Sequence, residues 1–118
     1  MAIIDQNGLL SLVTGKDYFA ADGQELDFTD TLGAWPDLTA ATVTISIFDT
    51  LVAIAVITQA GTIPTPSGAN KKVRFELAAA VTALLTAIKN YHYTVTAVLA
   101  SGHAPPPLAR GIVTTSLP

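Results

Sequence analysis

Two histidines are the first candidates for acid–base chemistry, because histidine is the side chain whose ordinary pKa lies nearest neutral pH. His92 lies in a run of alternating apolar and polar residues, and His103 follows Gly102 in a turn-like segment. No metal-binding spacing joins the two, so we predict no metal site there. The chain also lacks cysteine, a Gly-x-Ser-x-Gly motif and a glycine-rich phosphate loop. We therefore expect no enzyme activity, no catalytic residue and no cofactor.

Acidic residues are densest between positions 17 and 30. The five members are Asp17, Asp22, Glu25, Asp27 and Asp30. Calcium prefers several carboxylates on one turn, but this spacing matches no EF-hand loop. Two interpretations stay open, a solvated acidic edge and a calcium site, and no residue is assigned as a metal ligand.

Trp35, followed by Pro36, lies in a segment that we predict to be a loop. A loop tryptophan can stack on a sugar, anchor a protein contact or cover the open end of a β-sandwich. A proline run and an early leucine-rich stretch are further apolar candidates for contact. The predicted interface residues are Trp35, Leu9, Leu10, Leu12, Pro105, Pro106 and Pro107.

Composition narrows the function classes before any motif is considered. Of 118 residues, 50% are hydrophobic and 13% are charged, whereas soluble domains carry about 25% charge. This balance excludes disorder, and a net charge of -3 excludes a nucleic-acid binder with a basic stripe. The longest apolar run, Leu51 to Ile57, is far shorter than the roughly 20 residues of a membrane-spanning helix. We also predict no secretory signal, because Asp5 interrupts the early apolar stretch.

Charge is distributed unevenly along the chain. Residues 1–49 hold eight acidic residues and one lysine, whereas residues 50–118 hold one acidic and five basic residues. One interpretation is that the two parts lie side by side and neutralise each other within one fold. The other is that opposite faces of neighbouring copies attract and close into a ring.

Period-two alternation of apolar and polar residues predicts mostly β-structure. The predicted strands are 42–47, 51–57, 72–77, 91–99 and 112–117, with weaker candidates at 9–13 and 25–29. The segment 51–57 is apolar throughout, which is typical of a strand covered on both faces.

One helix interrupts this pattern. Apolar residues recur at helical spacing from Leu77 to Ile88 among many alanines, which predicts a short α-helix over about residues 78–89. We expect Gly61 to Asn70 to form an exposed loop, and Pro105 to Pro107 a stiff connector at a sheet edge. The predicted fold is mainly β, an antiparallel β-sandwich with one short helix. Within this single domain, residues 37–118 form the core, and residues 1–36 form an N-terminal arm with edge strands that docks on a neighbour.

Four segments resemble the Ig-like β-sandwich at the N-terminus of phage upper baseplate proteins. Asp37 to Val43 resembles the D-L-T-G-A-T-V entry of those domains, with Ala40 in place of their glycine. Val73 to Leu77 before the helix is similar to V-x-F-x-L. The run from Tyr91 to Gly102 is similar to Y-x-Y-x-V … L-x-S-G, and Leu108 to Val113 to L-A-R-G-x-V. The resemblance covers about residues 37–117 and implies an Ig-like β-sandwich without catalytic residues.

The resemblance implies a non-enzymatic structural protein located in a bacteriophage virion. It would act by protein–protein assembly, as a capsid decoration or cement protein or as a tail or baseplate component. The expected partners are other virion proteins and copies of the chain in a trimer or ring, with no nucleic acid and no membrane. A chain this apolar also exposes hydrophobic surface when alone, and such surface marks contacts. The alternative is a carbohydrate-binding or adhesin domain of a receptor-binding protein.

Overall fold

Two β-sheets packed face to face make up the fold. The computed structural model describes residues 8–50 and 54–118, together with the backbone of residues 3 and 4. In this part of the chain the strands are β1 (Ile3–Ile4), β2 (Leu10–Val13), β3 (Leu26–Thr29), β4 (Thr42–Asp49), β5 (Ala55–Ala60), β6 (Thr62–Thr65), β7 (Lys72–Phe75), β8 (Asn90–Val98) and β9 (Ala109–Ser116). A 3-10 helix spans Ala20–Asp22, and the α-helix α1 spans Ala79–Thr82.

The larger sheet has six strands in the order β1-β2-β9-β8-β4-β5, and the smaller has three in the order β3-β7-β6. The predicted mainly β sandwich is therefore confirmed. All strand pairs are antiparallel except β2 and β9, which run parallel with Leu10 opposite Val113. Parallel strands need a long connection, and nearly the whole chain separates these two.

Alternation along the long strands builds the core. In β4, Val43, Ile45 and Ile47 are buried while their neighbours face outward, and β8 follows the same pattern. The ring of Phe28 lies 6.0 Å from that of Phe75 and 5.4 Å from that of Tyr93, measured between centroids. Apolar side chains from both sheets thus interdigitate, as in other sandwiches.

The described part of the first 36 residues belongs to this core and does not form a separate arm. In β2, Leu10 and Leu12 are 0% and 1% exposed, and in β3 Leu26 is 0% exposed. Both strands have only four residues, so their sequence pattern is weak. Pairing with β9 and β7, far along the chain, places their apolar residues inside.

The α-helix is shorter than the predicted 78–89. After α1 ends at Thr82, residues 83–88 form turns, and Leu84 and Ile88 are 60% and 78% exposed. The C-cap of α1 is Ala83, and Ile88 has a φ of 57°, so the backbone there is no longer helical. Tertiary hydrogen bonds to this segment replace those that a longer helix would make, as shown below.

The predicted loop 61–70 contains a strand, β6. The chain crosses from the larger sheet to the smaller at Gly61, where a Cβ atom would lie 2.5 Å from the Arg74 carbonyl oxygen and the Phe75 ring. Pro64 is tolerated because β6 is an edge strand with irregular register to β7.

The predicted strand 51–57 is only partly described, because residues 51–53 lie outside the described residues. The strand β5 begins later, at Ala55, and continues to Ala60 at the edge of the larger sheet. Ile57 is 3% exposed whereas Ile54 is 77% exposed. In the described part of this segment, β5 is therefore not buried on both faces, and that part of the prediction is wrong.

Candidate functional site

An open cleft of about 820 Å³ lies at one end of the sandwich. We call it the tryptophan cleft. It is lined by Gly8, residues 27–32, residues 34–36, Tyr93 and residues 105–110. Phe28 and Tyr93 are buried and form its floor, whereas Leu32 and Arg110 are exposed at its rim. The lining comes from segments of the chain that no sequence motif connects.

Asp30 fixes the loop that carries Trp35. Its two carboxylate oxygens accept hydrogen bonds from the backbone N–H groups of Ala34 (2.9 Å) and Trp35 (3.0 Å). The Asp30 side chain is 2% exposed, and the Lys71 ammonium lies 3.9 Å away. A buried carboxylate that accepts main-chain hydrogen bonds holds a turn firmly, so Trp35 has a defined position.

The indole of Trp35 ties this loop to the segment before β9. Its Nε1–H donates a hydrogen bond of 3.0 Å to the carbonyl oxygen of Leu108. Because the ring is only half-buried, it covers the end of the sandwich and still presents part of its surface to the cleft. Trp35 therefore covers the open end of the sandwich, and the exposed part of its ring remains available for a contact.

The proline run lies beside Trp35 in the same cleft. It connects β8 to β9, between a hydrogen bond from Leu99 N–H to the His103 carbonyl (2.8 Å) and one from Leu108 N–H to the Val95 carbonyl (2.8 Å). Pro105 is half-buried, and Pro106 and Pro107 are exposed. Four of the predicted interface residues are thus brought together.

The three leucines among the predicted interface residues do not join the cleft. Leu10 and Leu12 are core residues of β2, because alternation turns them toward the smaller sheet. Their side chains are therefore not placed for contact with a partner. Leu9, one residue earlier, is half-buried on the opposite side of that strand.

Two rim residues were not predicted from the sequence. Leu32 is 91% exposed, and Arg110 forms no ion pair with any residue that the structure describes. A large apolar residue in the turn-like run Thr31-Leu32-Gly33 and a single cation in the last strand were the available signals. Neither signal shows that the two residues lie at the same end of the fold.

The acidic cluster is dispersed among internal contacts. Asp27 accepts two hydrogen bonds from the Arg74 guanidinium, at 2.8 and 3.0 Å, and this contact raises the pKa of Arg74. Asp17 accepts a hydrogen bond from the Ala79 N–H at the start of α1. Within residues 8–50 and 54–118, no group of three or more histidine and acidic side chains is placed to hold a metal ion.

The two histidines lie apart. His92 is on the outer side of the larger sheet, where its ring stacks on Phe48 with 5.1 Å between centroids and 12° between planes. His103 is exposed in the turn after Gly102. Neither lines the tryptophan cleft.

The cleft therefore combines apolar surface with polar groups that already have partners inside the chain. Asp27 and Asp30 are held by Arg74, Lys71 and main-chain N–H groups. The Trp35 N–H is used as well. Arg110 also lines the cleft, but the alternation of β9 points its side chain to the outer side of the larger sheet. Such a surface suits an apolar side chain of a partner protein.

Comparison with known proteins adds no relative. No protein-family model matches the chain, and no curated protein is significantly similar to it in sequence. Among the described residues, none of the helices has the length and hydropathy needed to cross a bilayer.

Proposed function

We propose that this chain is a non-enzymatic structural protein of a bacteriophage virion, which binds another virion protein through the tryptophan cleft. Support comes from the resemblance of residues 37–117 to Ig-like domains of phage baseplate proteins. The observed two-sheet fold agrees with the fold that the resemblance implies. Its place is the capsid surface, as a decoration or cement protein, or the tail or baseplate.

The observation that carries the proposal is the exposure of Leu32 at the rim of an apolar cleft. Leu32 is 91% exposed, and burying a leucine side chain is worth about 2 kcal/mol. Trp35 and the prolines extend the same apolar surface. Aromatic and apolar anchors surrounded by polar residues are typical of protein interfaces.

Carbohydrate binding is the rival function, and the cleft suits it less well. A sugar needs several hydrogen-bonding groups beside an aromatic ring. Here the carboxylates of Asp27 and Asp30 and the N–H of Trp35 are bound internally. An apolar protein surface would instead bury Leu32.

The test uses virus particles purified from a culture that carries the gene for this chain. We expect mass spectrometry to detect peptides of this chain in the particles. We expect the Leu32→Lys variant not to be incorporated into them. Leu84→Lys is the matched control, because Leu84 is also exposed, at 60%, but does not line the cleft. Thermal unfolding of both variants checks that each keeps its fold.

Two outcomes would overturn the proposal. One is absence of the chain from purified particles. The other is equal incorporation of the Leu32→Lys and Leu84→Lys variants, which would exclude the cleft. A glycan array on the wild-type chain separates the rival function, because saturable binding of a sugar would identify a carbohydrate-binding domain.

A further inference from the structure

Among the strand residues whose side chains the structure describes, the outer side of the larger sheet is almost free of charge. We call it the hydroxyl face, defined by the strand residues that point away from the core. In β2, β4, β5, β8 and β9 these are Ser11, Val13, Thr42, Thr44, Ser46, Phe48, Thr58, Ala60, Asn90, His92, Thr94, Thr96, Val98, Arg110, Ile112, Thr114 and Ser116. Arg110, near one border, is the single Lys, Arg, Asp or Glu among them.

The outer side of the smaller sheet has the opposite character. Asp27 on β3 pairs with Arg74 on β7, and Lys72 lies 3.9 Å from Asp27. A solvated strand normally carries such charges on its wet side. The outer side of the smaller sheet therefore carries ion pairs, whereas Arg110 is the single formal charge among the outer strand residues named for the larger sheet. Interface centres are surfaces depleted in charge.

An apolar row crosses the hydroxyl face. Phe48 lies opposite His92, and His92 lies opposite Ile112 in the register of β4, β8 and β9. The rings of Phe48 and His92 are stacked, and Ile112 is 54% exposed. The paired residues of β2 begin at Leu10, opposite Val113, so the row ends at Ile112. This row gives an otherwise hydroxyl-rich surface a hydrophobic centre.

The open edge of the sheet is a weaker place for contact than this face. The register between β4 and β5 shifts beside Ile47, which leaves Val56 as the extra residue of a bulge. Gln59 donates from its side-chain amide to the Ala60 carbonyl oxygen at 3.3 Å. Bulges and local capping are the features by which edge strands avoid pairing.

We infer that the hydroxyl face binds the same face of a second copy of this chain, forming a two-fold dimer of stacked sheets. Because the hydroxyl face carries almost no charge, its partner needs no opposite charge, and an identical face can pack against it. A two-fold contact is self-complementary, and an axis near His92 places Ile112 of one copy against Phe48 of the other. The contact leaves each charged face in water.

The size of the face is sufficient for a stable contact. Strands lie about 4.8 Å apart and rise about 3.3 Å per residue, so the face covers roughly 600 Å². Two copies together bury about 1,200 Å², which exceeds the approximately 1,000 Å² expected of a specific interface. Aligned packing of two sheets also fits apolar and hydroxyl side chains together.

The biological use of this dimer rests on the proposed assembly function, but the contact itself is tested on the isolated full chain. Light scattering over a hundredfold range of concentration should show a particle of twice the 12.2 kDa chain mass. Thr96→Glu places a carboxylate on the hydroxyl face and should weaken dimerisation about a hundredfold. Thr62→Glu is the control, because Thr62 is also exposed but lies on the smaller sheet.

The inference is supported if the wild type and Thr62→Glu dimerise while Thr96→Glu is monomeric with an unchanged circular dichroism spectrum. A monomeric wild type overturns it, and so does a Thr96→Glu dimer as tight as the wild type. Leu32→Lys should leave the dimer intact, which separates this inference from the proposed contact at the cleft.

Discussion

Two single residues, both glycine, lie where the backbone approaches neighbouring atoms most closely. At Gly61 the chain leaves the larger sheet directly beside the Arg74 carbonyl and the ring of Phe75. At Gly111 an added Cβ atom would lie 2.9 Å from the Tyr93 ring. Glycine is required at these positions because the neighbouring atoms belong to backbone or to buried rings, which cannot move aside.

Substitution of Gly61 by alanine should destabilise the fold by about 1–3 kcal/mol, because the added methyl group overlaps buried atoms. Urea unfolding followed by circular dichroism measures the loss. Gly68→Ala is the matched control, since Gly68 has a φ of 79° but no atom within 4 Å of an added Cβ. Gly68→Ala should lower the free energy of unfolding by about 1 kcal/mol, because it places a side chain in the left-handed region. Equal losses in the two variants would show that the space at Gly61 is not restrictive.

At the scale of elements, hydroxyl groups replace the second half of the predicted helix. The Thr82 hydroxyl donates to the Lys16 carbonyl at 2.8 Å, and Thr82 is fully buried. The Thr115 hydroxyl lies 2.7 Å from the Thr86 carbonyl and accepts from the Lys89 N–H at 3.0 Å. These contacts bind the turn over residues 83–89 to β9 and to the N-terminal part of the chain.

Thr115→Val should therefore lower the free energy of unfolding by about 2 kcal/mol, because it removes the partner of at least two backbone groups at a buried site. Thr86→Val provides the control, since Thr86 lies in the same turn with an exposed side chain. It should change stability by less than about 0.5 kcal/mol. Chemical unfolding of the two variants under identical conditions makes the comparison, and similar values would contradict the role given to Thr115.

The long strands could be predicted from the sequence, whereas β6 and the early end of α1 could not. Alternation over β4 and β8 is determined by burial of one face, which the residue pattern records. The strands β2 and β3 were only weak candidates, because each has four residues and pairs with a strand far along the chain. The turn residues of 61–70 predicted a loop although β6 pairs with β7, and the end of α1 depends on a hydrogen bond from Thr82 to Lys16.

The candidate site was predicted in part for the same reason. Trp35 and Pro105 to Pro107 were identified by residue type, but their proximity depends on the hydrogen bond from Trp35 to Leu108. Leu32 and Arg110 join them only through the fold. Conversely, Leu10 and Leu12 have the residue type of an interface, and only the sheet register shows that they face the core.

At the scale of the whole molecule, four of the eight acidic residues in positions 1–49 form ion pairs within the described part of the chain. The ion pairs of the described residues join acids of the first 49 residues to bases that follow, including Asp30 with Lys71 and Asp49 with Lys89. This agrees with the interpretation that the two parts lie side by side. Among the described residues, the acidic side chains without an ion pair are those of Asp17, Asp22, Asp37 and Glu76, which all lie outside the strands of the larger sheet. The hydroxyl face, with Arg110 as its single formal charge, is therefore favoured for self-association.

The pair of Asp49 and Lys89 should give stability a specific dependence on pH. The hydrogen bond to Asp49 raises the pKa of Lys89, so its stabilising effect is complete below the unfolded value of about 10.4. The effect is lost as pH rises through the higher folded value. The stability difference between wild type and Lys89→Met should therefore be constant between about pH 6 and 9 and shrink at higher pH.

Unfolding in denaturant at a series of pH values measures this difference. Lys16→Met is the control, because Lys16 is exposed and forms no ion pair with the described residues. The stability difference between wild type and Lys16→Met should not show the same decrease at high pH. A Lys89→Met difference that persists unchanged above about pH 11 would show that Asp49 does not hold the ammonium group.

The parallel pairing of β2 with β9 also constrains the order in which the strands can fold. Ser11 and Thr114 are hydrogen-bonded across a separation of 103 residues, and β9 lies between β2 and β8 in the sheet. The strand β2, although synthesised before β9, has no neighbour to pair with on this side until β9 is in position. Contacts of such long range slow folding because a large loop must close before they form.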